Sequence, residues 1–277
     1  MRGVSLMALV LLPLAVACTD SSDDTKDEGS GTSDDGGGDG GSEEVLPDTS
    51  DDDADGLTAD EEAALGTDAG NPDSDGDGYL GGEEVGFGSD PADAESGIYA
   101  GGWPYNADKD SYGAPEPGDA ELDIDAAFAR WKLTDQFGEE LDIYDFAGHG
   151  KPIMIDISAM WCGPCQATAD WLAGGPDRMG FNAPQIVEAV NNGDAYWITV
   201  LTQDPSGGTV DVEELQEWEE SFPNDNIPVL AGTRQFEREY LFGGFPTMIY
   251  FNEDLTINTM PANPNFYAPI GRMARDL

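Results

Sequence analysis

The sequence predicts an α/β protein in three layers about a central mixed β-sheet, preceded by a small irregular repeat segment and a disordered tether. Three observations carry that reading. Beyond about Ala126, short β-branched or aromatic runs alternate with helical patterns and end in a hairpin and a helix. Between Asp51 and about Glu95 an acidic motif occurs twice, Asp51 recurring as Asp73. From Thr19 to about Ser50 the chain is Ser, Asp, Gly, Glu and Thr with almost no apolar residue, too little to offset the entropy of ordering.

The N-terminal stretch has Arg2 and then an apolar run from Val4 to Ala17. The run is too short to span a bilayer and has the size of a secretory signal core. It ends Leu14-Ala15-Val16-Ala17-Cys18, which resembles the lipobox of bacterial lipoproteins, whose Cys is acylated and becomes the mature N-terminus. That family usually has Leu where this chain has Ala15. Ala15-Val16-Ala17 is also an A-x-A site for ordinary signal peptidase. Both alternatives export the protein and cut before Cys18. The expectation is a signal peptide at 1–17, then a lipidated Cys18 and an acidic Gly/Ser linker at 18–50. With Thr19 next and Asp20 only one place later, the resemblance implies an outer-membrane lipoprotein of the bacterial cell envelope, facing the periplasm or the cell surface.

The 57 acidic and 11 basic side chains give a formal net charge of −46. Residues 19–100 hold 27 acids and one base, Lys26; residues 101–277 hold 30 acids and nine bases. Such a surface repels nucleic acid and anionic headgroups, so no nucleic-acid partner is expected. It suits a soluble monomer or a collector of cations.

The repeat at 51–95 points to cations. Asp51-x-Asp53-x-Asp55-Gly56 recurs as Asp73-x-Asp75-x-Asp77-Gly78, with Glu62 and Glu84 in matching places, and Gly66-Thr67-Asp68 recurs as Gly88-Ser89-Asp90. Both copies satisfy D-x-D-x-D-G-x5-E. Alternate carboxylates turn inward, Gly takes the sharp bend and the Glu closes the far side of a hard cation. The flanks lack the long helices of an EF-hand. The segment resembles thrombospondin type 3 calcium repeats, which implies structural Ca²⁺ on Asp51, Asp53, Asp55 and Glu62 and on Asp73, Asp75, Asp77 and Glu84, with no organic cofactor. The bland alternative is a solvated acidic run.

Residues 96–125, with Gly101-Gly102-Trp103-Pro104 and Ala114-Pro115-Glu116-Pro117-Gly118, read as an irregular connector, Trp103 and Tyr105 resting on the domain that follows. In that domain, 126–277, Arg130 to Thr134 reads as an edge strand before a Gln136-Phe137-Gly138 turn. Ile153 to Ser158 is an apolar strand interrupted by Asp156. A helix begins at the cysteine pair and runs through Trp171-Leu172 to Gly174-Gly175-Pro176, and Ile186 to Val190 adds a helical turn or two. Tyr196 to Leu201 is a strand. Val212, Leu215, Trp218 and Phe222 mark a helix by their spacing. Thr247 to Phe251 and Leu255 to Thr259 are strands about Asn252-Glu253-Asp254, and Ile270, Met273 and Leu277 form the face of a closing helix.

Chemistry concentrates at Trp161-Cys162-Gly163-Pro164-Cys165, between strand and helix. With Cys18 assigned to the leader junction, Cys162 and Cys165 remain as an even pair in an oxidising compartment. At an exposed helix N-terminus, unpaired N–H groups and the helix dipole favour a thiolate on the first cysteine. The two-residue spacing lets the second thiol attack a mixed disulfide formed by the first. A zinc site needs four ligands, but there is no other C-x-x-C and the only histidine is His149, which reads as a solvated loop residue. Haem attachment needs His where Gln166 stands. A structural disulfide is the bland alternative.

Ile155-Asp156-Ile157-Ser158-Ala159-Met160-Trp161-Cys162-Gly163-Pro164-Cys165 resembles the active-site strand and turn of the thioredoxin superfamily. Gly150-Lys151-Pro152 and Gly243-Gly244-Phe245-Pro246-Thr247 are similar to its extracytoplasmic, membrane-anchored redoxin branch. Peroxidase-type members place Thr where this chain has Ala159. The resemblance implies a thioredoxin-like fold and a thiol-disulfide oxidoreductase. It implies Cys162 as attacking thiol, Cys165 as resolving thiol, and Asp156 as the buried acid that exchanges protons with it. Trp161 is then the flanking aromatic, and Pro246 the cis-proline facing the pair and contacting substrate backbone. Phe245 departs from the small or β-branched residue usual before that proline, leaving substrate preference open. Cys-Gly-Pro-Cys leans toward reduction of protein disulfides, with a thiol electron donor or acceptor the sequence does not name. The alternative function is a calcium-stabilised surface binding or adhesion lipoprotein in which the redoxin fold is only a scaffold.

Overall fold

A computed structural model describes residues 48–94 and 96–277. The expected signal peptide, Cys18, nearly all of the expected tether and Glu95 lie outside the described residues.

The centre is β3 (Ile153–Ala159), in which every residue is buried. An unbroken apolar run with β-branched residues suits a strand covered on both faces. It pairs in parallel with β4 (Tyr196–Gln203) and antiparallel with β6 (Thr247–Phe251). With β5 (Val229–Ala231) and β7 (Ile257–Thr259) the sheet order is β5-β4-β3-β6-β7. Because β3, β4 and β5 run one way and β6 the other, the C-terminal ends of the first three meet the N-terminal end of β6 on one edge.

Period-two alternation divides the sheet's side chains. Ile153, Ile155 and Ile157 pack with Ile198, Val200, Ile249 and Phe251, beneath Phe236 and Tyr240 of α6 (Arg234–Tyr240) and the hairpin residues Leu133 and Leu141. Met154, Trp197, Met248 and Tyr250 face Trp171 and Leu172 of α3 (Gly163–Leu172), Ile186 and Val190 of α4 (Pro184–Asn191), and Ile270 and Met273 of α7 (Ala268–Asp276). The result is a three-layer α/β fold about a central mixed sheet. A further helix, α5 (Val212–Ser221), starts with a reciprocal Asp211–Glu214 capping box and packs Leu215 and Trp218 beside the cysteines.

Several expectations change. β1 (Lys132–Thr134) pairs with β2 (Glu140–Asp142) in a separate two-stranded sheet and is no edge of the central one. The last strand starts at Ile257 because Leu255 turns left-handed, at φ 60°. Leu277 is exposed, so only Ile270 and Met273 close the core. The acidic repeats also contain helices, α1 (Ala59–Leu65) and α2 (Gly81–Phe87). The first is started by the reciprocal Thr58–Glu61 box, and Gly66 and Gly88 end them.

Within the connector, Trp103 is buried and donates its indole N–H to Asp135. Tyr99 and the Asn106 amide donate to the buried Asp145, which also pairs with Lys109. Tyr105 turns the other way, its ring 4.9 Å from Phe87 of α2 and edge-on to it.

Candidate active site and cation loops

Cys162 is the N-cap of α3; its Sγ accepts from the Cys165 amide at 3.2 Å, and Pro164 lies in the first turn, where its missing N–H is no loss. The two cysteines form a disulfide with Cα atoms 5.2 Å apart. Gln166 Nε2 donates to the Met160 carbonyl at 2.6 Å and braces the turn. The expectation of an exposed first cysteine is corrected here. Cys162 is 2 % exposed and Cys165 fully buried. They share a cluster with Met160, Leu201 and Leu215, and Phe245 packs against it.

Trp161 stands outside this cluster, 53 % exposed. Its indole N–H donates to Gln203 Oε1 at 2.9 Å, and its ring meets Phe245 edge-on at 5.7 Å. The Phe245–Pro246 peptide is cis, and Pro246 directly precedes β6. Thr247 pairs in register with Ile157, so Pro246 lies beside the end of β3 that leads into Cys162.

Asp156 is 2 % exposed, midway along β3 between Thr199 and Met248. It shares a strand face with Met154, which packs with Trp171 and Leu172 of α3. Burial pushes its pKa up to about 7, against the opposing hydrogen bond from Ser158 Oγ at 3.0 Å. The Trp197 indole N–H also favours its charged form, yet falls outside hydrogen-bond geometry. A carboxyl at this value takes or gives a proton near neutral pH. The structure thus brings Cys162, Cys165, Trp161 and Pro246 to one sheet edge and sets Asp156 deeper along the same strand.

Sequence reasoning missed Gln203 and Ser158. Ser158 had a signal, since two residues along a strand from Asp156 it shares the same face. Gln203 had none, because its role depends on where β4 ends. His149 is exposed and its ring nitrogen bonds the Asp145 carbonyl at 2.9 Å, a loop contact.

In the repeats, Asp51, Asp53 and Asp55 offer carboxylate oxygens within 4.8 Å of one another, as do Asp73, Asp75 and Asp77. Gly56 and Gly78, at φ 100° and 101°, turn their amides to Asp51 Oδ2 at 3.3 Å and Asp73 Oδ2 at 3.1 Å. Glu62 and Glu84 lie outside each tight triad and are each 1 % exposed. Burial first, then the neighbouring aspartates, push both carboxyls up, Glu84 to about 7. Both oxygens of Glu62, Glu84 Oε1, and one oxygen each of Asp53, Asp75 and Asp77 are buried without a hydrogen-bond partner. Buried unpaired carboxylates are costly. The donor set, all hard oxygen in two matching loops, fits Ca²⁺.

No protein-family model matches the chain, and no curated protein matches it in sequence. Solved structures are similar to it. One is the exposed lipoprotein thioredoxin of Streptococcus pneumoniae, at 20 % identity, covering 54 % of this chain and 100 % of that one, with a TM-score of 0.36. Another is a secreted disulfide oxidoreductase of Mycobacterium tuberculosis, at 20 % identity over 53 % and 96 % of the two chains, with a TM-score of 0.38. A third is the thioredoxin domain of a thiol-disulfide oxidoreductase from Bacteroides vulgatus, at 15 % identity over 56 % and 99 %, with a TM-score of 0.38.

Proposed function

We propose that the protein is an exported, lipid-anchored thiol-disulfide oxidoreductase acting on proteins outside the cytoplasm. The observation that carries this reading is a disulfide at the N-cap of α3 whose feeding strand holds a buried acid with a pKa near 7.

In the reducing direction the Cys162 thiolate attacks one sulfur of a substrate disulfide. A Cys162–substrate disulfide forms and the other substrate sulfur leaves as a thiolate, which takes a proton. Cys165 then loses its proton, with Asp156 as the acceptor, and attacks Cys162 Sγ. The second substrate thiol departs, and the pair ends as the Cys162–Cys165 disulfide. The substrate gains two electrons and the pair loses two, so a thiol donor must reduce the pair again. Every step reverses for oxidation. Trp161 flanks the reacting sulfurs, and Pro246 is the backbone contact for substrate that the thioredoxin resemblance implies.

The acidic loops hold structural Ca²⁺ through Asp51, Asp53, Asp55 and Glu62, and through Asp73, Asp75, Asp77 and Glu84. The ion neutralises the buried carboxylates. Cys18 carries the lipid, and 18–50 is the spacer from the outer membrane. Support for the anchor is the apolar run ending at Cys18.

The test is a trap. Cys165→Ala, expressed in the native cell, accumulates discrete mixed disulfides with substrate proteins, and Cys162→Ser with Cys165→Ala accumulates none. Absence of adducts from the single variant contradicts the reading.

A further inference from the structure

Resting on the oxidoreductase reading, we propose that the preferred substrate is a cysteine-bearing segment with an aromatic or large aliphatic side chain on one side of the cysteine and cationic side chains on the other. Two different borders of the active-site edge carry this.

The first border is aromatic. Five Phe and Trp side chains are exposed among the described residues, and three of them, Trp161 at 53 %, Phe242 at 43 % and Phe266 at 42 %, belong to the loops at this edge. Phe242 opens the loop that ends at Pro246, its amide donating to Thr247 Oγ1 at 3.0 Å. Phe266 comes from the loop after β7, and its ring lies over Gly243, where a β-carbon would stand 3.0 Å from it. Gly243 and Gly244 add no side chains between these rings, and Phe245 continues the surface to Trp161. An apolar surface left open beside reactive sulfurs fits an apolar side chain of the partner.

The second border is anionic. From Gln203 to Glu214 the chain has four acids and no base, and Arg234 reaches back to the Gly207 carbonyl of this segment while pairing with Glu237. This segment leaves the C-terminal end of β4 at the active-site edge, forms the Asp204 loop, and starts α5 with Asp211, Glu213 and Glu214. Hydrogen bonds from Ser206 and the Gly208 amide hold Asp204 below its usual range, so it stays charged. Across the pair, residues 241–251 and 255–271 contain no charged side chain. The field is therefore lopsided. It draws cationic segments to the α5 side and repels anionic ones. Trp161, open between the two borders, presents a ring face to a Lys or Arg.

The test uses the full chain with dithiothreitol as reductant. Four disulfide-linked peptides carry Phe or Ser on one side of the cysteine and Lys-Lys or Glu-Glu on the other. The Phe/Lys peptide should exceed the Ser/Glu peptide in kcat/KM by about tenfold or more at low ionic strength. The Lys preference should shrink with added salt and the Phe preference should persist. Phe242→Ser with Phe266→Ser should erase the Phe preference, and Glu213→Lys should weaken the Lys preference. Equal turnover of the four peptides overturns this inference and leaves the oxidoreductase reading standing. Turnover of none overturns both. A concentration-dependent dimer with no peptide preference assigns the aromatic border to a second copy of the chain and also overturns it.

Discussion

The Trp103 indole N–H donates to the Asp135 carboxylate at 2.8 Å, joining the connector to the turn between β1 and β2. Asp135 is fully buried and also accepts from the Phe137 and Glu139 amides, each at 2.9 Å. From the other direction, Tyr79 of the second acidic loop donates its phenol to the Trp103 carbonyl. Loop, connector and hairpin are therefore linked through one buried residue, Trp103, by its carbonyl on one side and its indole on the other.

That link couples the second loop to the stability of the whole unit. Calcium should bind weakly, with Kd on the order of 10⁻⁴ to 10⁻³ M, and should raise the thermal midpoint of the full chain relative to chelator. Trp103→Ala should destabilise the protein by about 3–5 kcal/mol and reduce the calcium-dependent shift. Calorimetry and thermal unfolding with and without calcium check both. A midpoint indifferent to calcium contradicts the coupling.

Asp156 should make stability depend on pH. Its pKa is raised from 3.8 to about 7 on folding, so the folded state holds a proton that the unfolded state releases. The penalty is absent below pH 3.8, grows as pH rises through that window, and is complete above about 7. A shift of this size corresponds to roughly 4 kcal/mol at most. Asp156→Asn should therefore stabilise the oxidised protein at pH 8 and much less at pH 4, as read by denaturant unfolding. The same variant should slow the resolving attack by Cys165 and spare the first attack by Cys162. Equal stability changes at both pH values would contradict the assignment.

Cys18 should carry lipid and fractionate with the outer membrane. Mass spectrometry of the mature N-terminus checks this, and an unmodified Cys18 in the soluble fraction contradicts it.

What was legible in the sequence follows from local physics. β3, β4 and β6 announced themselves because apolar β-branched runs fit a buried sheet, and α5 because its apolar spacing is helical. The cysteine turn was legible because Pro164 and the two-residue spacing belong to one helix start. β5 and α6 were not, since Val229–Ala231 is three residues long and Arg234–Tyr240 is mostly polar, its two buried anchors being Phe236 and Tyr240. Burial of Cys162 was also hidden, because Phe245 reaches its cluster from a loop more than eighty residues away in sequence. The carboxylates of the repeats were legible as a pattern. Only their three-dimensional arrangement shows both oxygens of Glu62 and Oε1 of Glu84 buried without a hydrogen-bond partner.

The central claim is that the Cys162–Cys165 pair exchanges disulfides with proteins. Insulin-disulfide reduction driven by dithiothreitol, followed as turbidity, tests it most directly. Wild-type protein should shorten the lag and speed precipitation over dithiothreitol alone. Cys162→Ser should abolish the effect, and Cys165→Ser should stall at a Cys162–insulin mixed disulfide. If the wild type reduces insulin no faster than dithiothreitol alone, the buried pair is a structural disulfide, the domain is a scaffold, and the oxidoreductase account is wrong.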